Sequence, residues 1–125
     1  MEPSPNPMPV LRVRALPTSL DCHGRPRAGW LMEQIDVAGS AEAERIARGP
    51  VAVVEVNTFQ FRSPVSLGAM VEIYAEQLRV GKKSLTLKIF VQSQHEGEAP
   101  VFVTEVIMTY VALDSQGKSR LLADK

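Results

Sequence analysis

An α+β fold follows from three features of the sequence. Residues 28–49, AGWLMEQIDVAGSAEAERIARG, carry a helical period and end at Gly49–Pro50, a helix stop. Beyond Pro50 the period changes to two, and four β runs follow to residue 113. The turns between these runs are short, and consecutive strands joined by short turns pair antiparallel. One long helix packed across one curved antiparallel sheet is the arrangement that buries both apolar faces.

In chain order, residues 1–9 contain four prolines and read as a disordered or extended arm, with residues 10–125 as a single domain. VLRVRAL, residues 10–16, is a short strand. PTSLDCHGRPR, residues 17–27, is a loop broken by Pro17, Gly24 and Pro26. The helix follows. VAVVEVNTFQF, residues 51–61, is a β run, and Ser63–Pro64 with Gly68 mark a turn. Residues 70–80 alternate Val71, Ile73 and Ala75 against Glu72, Tyr74 and Glu76. Gly81–Lys82–Lys83 reads as a hairpin turn into residues 84–92, where Leu85, Leu87, Ile89 and Val91 alternate with Thr86, Lys88 and Phe90. HEGEAP, residues 95–100, is a loop. VFVTEVIMTYVAL, residues 101–113, is the longest and most apolar run and is expected to be the central strand. DSQGK ends it, and residues 120–125 read as a tail.

Counting 100° per residue from Met32 places Ile35, Gly39, Ala43 and Ile46 in one stripe, with Asp36 inside it. A carboxylate deprived of water is suited to taking a proton from a water molecule. A buried carboxylate satisfied by a neighbouring hydroxyl, or a slightly rotated helix that leaves it wet, accounts for the same pattern. Trp30 and Val37 lie on the opposite face, which is expected to be covered by a second subunit or a ligand. Long strands with open edges point the same way, to a homodimer, with a trimer of dimers or a tetramer as the larger assemblies.

Composition excludes several classes. Acidic and basic residues balance at 14 each, so neither nucleic acid nor a membrane surface is an expected partner. No apolar run is long enough for a membrane span, and the first residues do not resemble a signal peptide. Cys22 is the only cysteine, which fits a cytoplasmic protein without disulfides. Cys22, His23 and the distant His95 do not form a metal set, and no serine-hydrolase elbow or phosphate-binding glycine loop is present.

The ordered motifs are Leu16–Pro17, Gly24, GWLMEQID at residues 29–36, Gly39, Gly49, the F-x-x-P-V at 61–65, Gly68, GKKS at 81–84 and TYVALDSQGKSR at 109–120. Together they resemble the hotdog-fold acyl-CoA thioesterases of the bacterial short- and medium-chain type. The resemblance implies a sheet wrapped round a central helix and hydrolysis of an acyl-CoA thioester to free acid and coenzyme A. It implies that Asp36 acts as general base on water, or as nucleophile, while the N–H of Gly29 at the helix start polarises the thioester carbonyl. A helix N-terminus is independently suited to an oxyanion, and Asp36 lies about two turns further on. By the same resemblance, Ala28, Trp30, Lys82, Lys83 and Ser84 are expected to contact substrate, the lysines through the phosphates of coenzyme A. Coenzyme A enters as part of the substrate, and no cofactor or metal is implied.

The loop before the helix departs from the family. Where the family reads N-x-N-G-D-I-F-G-G, this chain has DCHGRPRAG, residues 21–29, so that Asp21 and His23 replace asparagines, Arg25 replaces an acid and Ala28 a glycine. Arg25 and Arg27 would attract an acidic acyl group or a phosphate, and His23 is a candidate acid–base or hydrogen-bond donor. Two alternatives remain at this level. One is a non-catalytic module that binds coenzyme A or its acyl esters. The other, resting on the faint likeness of HGRP followed by GWLMEQ, is a hotdog hydroxyacyl thioester dehydratase.

Overall fold

The computed structural model describes residues 8–57 and 60–122. Most of the expected proline-rich arm lies outside the described residues. The elements are β1 (Leu11–Arg14), a short 3-10 turn at Pro17–Ser19, α1 (Ala28–Ala47), β2 (Val51–Asn57), β3 (Met70–Val80), β4 (Ser84–Gln94) and β5 (Val101–Ala112). The five strands form one antiparallel sheet in the order β1-β3-β4-β5-β2. α1 packs across β2, β3, β4 and β5. This is the expected α+β architecture, and helix and strand bounds fall close to those read from the sequence.

Two topological expectations change. The central strand is β4, with β5 beside it. The outward positions of β4 are polar except for Phe90, among them Thr86, Lys88 and Gln92, and they mask how enclosed the strand is, whereas β5 keeps Ile107 and Val111 on its outer side. Strands β2 and β3 are consecutive in sequence but do not pair; β4 and β5 lie between them in the sheet, so β2 ends as an edge against β5 alone.

The helix face is also rotated from the expected stripe. Leu31, Ile35, Ala38, Gly39, Ala43 and Ala47 are buried, while Met32 is 48% exposed and Asp36 lies on the exposed border. Small residues let a helix backbone approach a sheet closely, so the buried arc follows the alanines and Gly39 rather than the largest apolar side chain. Opposite them, Ile73, Leu85, Leu87, Ile89, Val91, Val106 and Tyr110 are fully buried. Trp30, expected on the wet face, is half-buried and packs against this core, because an indole is large enough to fold back from the helix flank.

The helix ends at Ala47, two residues earlier than Gly49. Arg48 takes the left-handed conformation (φ 60°) and its N–H donates to Glu44 O at 2.7 Å. The last carbonyl of the helix, Ala47 O, is met from the far end of the chain. Arg120 donates to Ala47 O at 2.5 Å, Leu113 O at 3.0 Å and Leu121 O at 3.2 Å, and Leu122 is buried. Arg120 therefore ties the last carbonyl of the helix to the chain after β5, and residues 120–122 are held in place rather than forming a tail. A cationic guanidinium at a helix C-terminus also opposes the partial negative charge there.

Candidate active site

The start of α1 opens onto a cleft of about 580 Å³, lined by Gly24–Ala28, Leu31, Phe61–Ser66 and Val103. Three local structures shape it. The first is the loop before the helix. Asp21 Oδ1 accepts the backbone N–H of His23 at 2.8 Å and of Arg25 at 3.1 Å, and Gly24 supplies the positive φ (78°) that the tight turn needs. These two N–H groups, that of Arg25 first, hold the Asp21 carboxyl below its usual range. The aspartate at this position thus orders the loop, and the rings and heads of His23 and Arg25 are exposed.

The second is a β-bulge in β5. The register against β4 shifts between Val91 and Gln92, so Val103 and Thr104 are both buried and the alternation breaks. Val103 then faces the cleft, its carbonyl accepts the Arg62 N–H at 2.7 Å, and Thr104 Oγ1 donates to Gln60 O at 2.6 Å. These bonds fix the third wall, residues 60–66. At its far end Ser66 Oγ lies 2.8 Å from His95 Nε2.

The helix start itself carries no side-chain cap, and its first turn holds no acidic residue. The first N–H groups of a helix lack intrahelical partners, so with the dipole behind them they are available to an anion or a developing oxyanion. Ala28 lines the cleft and Gly29 is exposed beside it, with open space where a side chain would stand.

Asp36 is not in this cleft. Ser40 Oγ donates to the Asp36 carbonyl and sits 3.5 Å from its Oδ1. Beneath it, buried Tyr110 keeps its proton well above the usual phenol range, first through burial and then through the negative charge of Asp36. From Gly29 to Asp36 the helix rises by about 10 Å, too far for both to touch one carbonyl within a single chain. Lys82 and Lys83 are exposed at the other end of the helix, where the carbonyls of Lys82 and Lys83 accept Leu122 and Ala112 N–H at 2.8 and 3.0 Å. The expected residues therefore fall into three places in one protomer: the helix start, the exposed border of α1 and the hairpin. The sequence reading missed Leu31, Arg62, Ser66 and Val103 as cleft residues. The one local signal for them was the F-x-x-P-V segment.

Among the described residues no helix is long and apolar enough to cross a membrane, and no group of three or more His, Cys, Asp or Glu side chains gathers.

The thioesterase superfamily model matches residues 28–100. The acyl-CoA thioester hydrolase YciA of Escherichia coli K12 is 36% identical over 117 residues, covering 90% of this chain and 89% of that protein. A hexameric thioesterase from Yersinia pestis superposes with a TM-score of 0.88 at 38% identity, covering 94% of this chain and 96% of the other. A hexameric hotdog fold thioesterase of Campylobacter jejuni superposes with a TM-score of 0.85 at 26% identity, covering 91% and 89%. On the family match and on this extent of similarity, the chain belongs to the thioesterase superfamily and has the hotdog fold.

Proposed function

We propose that this protein hydrolyses acyl-CoA thioesters in a site shared between protomers. The observation that carries the proposal is the uncapped start of α1 opening onto the cleft. It is a preformed oxyanion site in a chain similar to named acyl-CoA thioester hydrolases. The backbone N–H of Gly29 donates to the thioester oxygen. Asp36 of a neighbouring protomer takes a proton from water as the water oxygen bonds to the carbonyl carbon. Collapse of the tetrahedral species breaks the C–S bond, and the departing thiolate takes up a proton. The products are the free acid and coenzyme A, with no metal or cofactor in the scheme.

The separation of Gly29 and Asp36 along one helix is what requires a second protomer in this reading. Exposed apolar side chains on β2 (Val53, Val54, Val56) and on α1 (Met32, Val37) offer the surface for it. The hexameric relatives favour the trimer of dimers over a lone dimer or a tetramer as the assembly. Lys82 and Lys83 then serve the phosphates of a substrate held mainly by another protomer, with Trp30 and Ser84 as supporting contacts. A cytoplasmic location accompanies the proposal, in keeping with the single free Cys22.

The test is release of free thiol from a panel of acyl-CoA esters by the wild type and by Asp36→Asn. Loss of a general base costs about 10²–10⁴-fold in rate. A variant that folds and assembles but turns over at the wild-type rate would remove Asp36 from this role. Stabilisation by coenzyme A without turnover of any ester would instead mark a binding module. Hydration of an enoyl thioester would mark a dehydratase.

A further inference from the structure

The cleft at the start of α1 is much more cationic than the chain around it. The protein carries 14 acidic and 14 basic residues, yet Arg25, Arg27 and Arg62 line the cleft and no carboxylate does. Its floor is apolar, built from buried Leu31, Val65 and Val103. Among the described residues none of the three arginines forms a salt bridge; the ion pairs join Arg12 to Glu72, Arg45 to Glu42 and Lys88 to Glu76. Arg27 spends one donor on Thr18 O at 3.0 Å, of the five that a guanidinium has. Asp21 is the carboxylate whose charge Arg25 feels, but its Oδ1 already accepts two backbone N–H groups. Arg62 also borders a neighbouring cavity that Glu105 shares. Three arginines round one apolar hollow offer an anion several charge-assisted donors.

The position of these charges limits which anion fits. Arg27 immediately precedes the helix and Arg25 lies three residues before its first residue, Ala28, with about 3.8 Å between successive Cα atoms. In the proposed reaction the thioester carbonyl rests on the first N–H groups of that helix. The phosphates of coenzyme A are separated from the sulfur by the whole pantetheine arm, whereas a carboxylate ending a short acyl chain lies a few carbons from the carbonyl. We infer that the cleft selects acyl groups ending in a carboxylate, held by Arg25, Arg27 and Arg62 while Leu31, Val65 and Val103 cover the methylenes. This inference rests on the thioesterase reading of the same site.

The experiment compares glutaryl-CoA with pentanoyl-CoA, of equal chain length, and repeats the pair as S-acyl pantetheines, which lack the nucleotide phosphates. Wild type, Arg25→Gln and Arg62→Gln are assayed for kcat/KM, and thermal stabilisation by each CoA ester is recorded in parallel. The wild type is expected to favour the glutaryl ester on both carriers, and each substitution to cut that preference by about tenfold, as loss of a charge-assisted pair does. Equal or reversed preference in the wild type overturns the inference. So does a loss that strikes both acyl groups alike and vanishes on pantetheine, since that assigns the arginines to the phosphates. If no ester is hydrolysed, the thioesterase reading fails separately. Thermal shifts then decide: stronger stabilisation by glutaryl-CoA that Arg62→Gln abolishes supports the cleft assignment, and equal shifts overturn it.

Discussion

The hydroxyl of Tyr110 lies directly beneath the Cα of Gly39. A methyl group added at Gly39 would overlap Tyr110 Oη, with the ring carbon Cζ at 3.3 Å and Ile89 Cδ1 at 3.5 Å. The glycine is therefore a packing requirement, since it lets α1 settle onto a tyrosine with no surface exposure. Tyr110 Oη has one polar contact nearby, Met108 Sδ at 3.5 Å, a weak acceptor.

Gly39→Ala tests that relationship. Alanine raises helix propensity by about 1 kcal/mol, so packing alone can make the change unfavourable. Overpacking is expected to give a net loss of about 1–3 kcal/mol in urea unfolding. Adding Tyr110→Phe removes the overlapping oxygen and should recover most of it, because the remaining ring contact yields to a small shift. Independent, additive effects of the two substitutions would show that the contact is not the cause.

Arg120→Ala should destabilise the protein by about 1–3 kcal/mol, the range for stranding hydrogen-bonded backbone carbonyls. Arg120→Lys should restore only part, since an ammonium cannot span Ala47, Leu113 and Leu121 as the planar fork does. Chemical denaturation of the three proteins measures this; a fully restored lysine variant would reduce the tie to simple charge.

Acid should loosen the loop before the helix. Asp21 favours its ionised form in the native loop, so its contribution is complete above the ordinary value of 3.8 and is lost as pH falls through the lower native value. Protection of the His23 and Arg25 amides against hydrogen exchange, corrected for intrinsic rate, should fall in that acid range. Asp21→Asn should flatten the dependence. An unchanged acid limb in that variant would point to another group.

The β2 edge carries the assembly prediction. Val54 and Val56 are 58% and 49% exposed in the single chain. Lysine at both positions places charge on an edge that self-association would bury. Light scattering after size exclusion should show smaller species than the wild type, and thioesterase activity should fall in parallel because the proposed site spans protomers.

The sequence was most legible where contacts are periodic and local. The alternation of Leu85, Leu87, Ile89 and Val91 located β4, and Gly81–Lys83 located its hairpin, because a period of two and a turn signal act within a few residues. The family motifs carried the fold further than periodicity did. The rotation of α1 was missed because size-weighted counting favours Met32, whereas a close helix–sheet approach favours alanine and glycine. The walls of the cleft were missed for a different reason. Thr104 meets Gln60 across 44 residues, and the bulge at Val103 is a departure from alternation rather than an instance of it. The role of Asp21 was legible only as a generic turn signal, an aspartate three residues before Gly24, which the comparison with the family's asparagine obscured.

The bond from Arg120 to Ala47 joins groups 73 residues apart in the chain. Between them lies most of the sheet, so this contact on the last carbonyl of α1 closes a loop that spans β2 to β5. Closing so wide a span makes folding slow relative to a chain of neighbour-only contacts. The contact of Arg120 with Ala47 O should consequently form late in refolding, whereas the amides of Arg48 and Gly49, bonded to Glu44 O within the helix, gain protection independently of it.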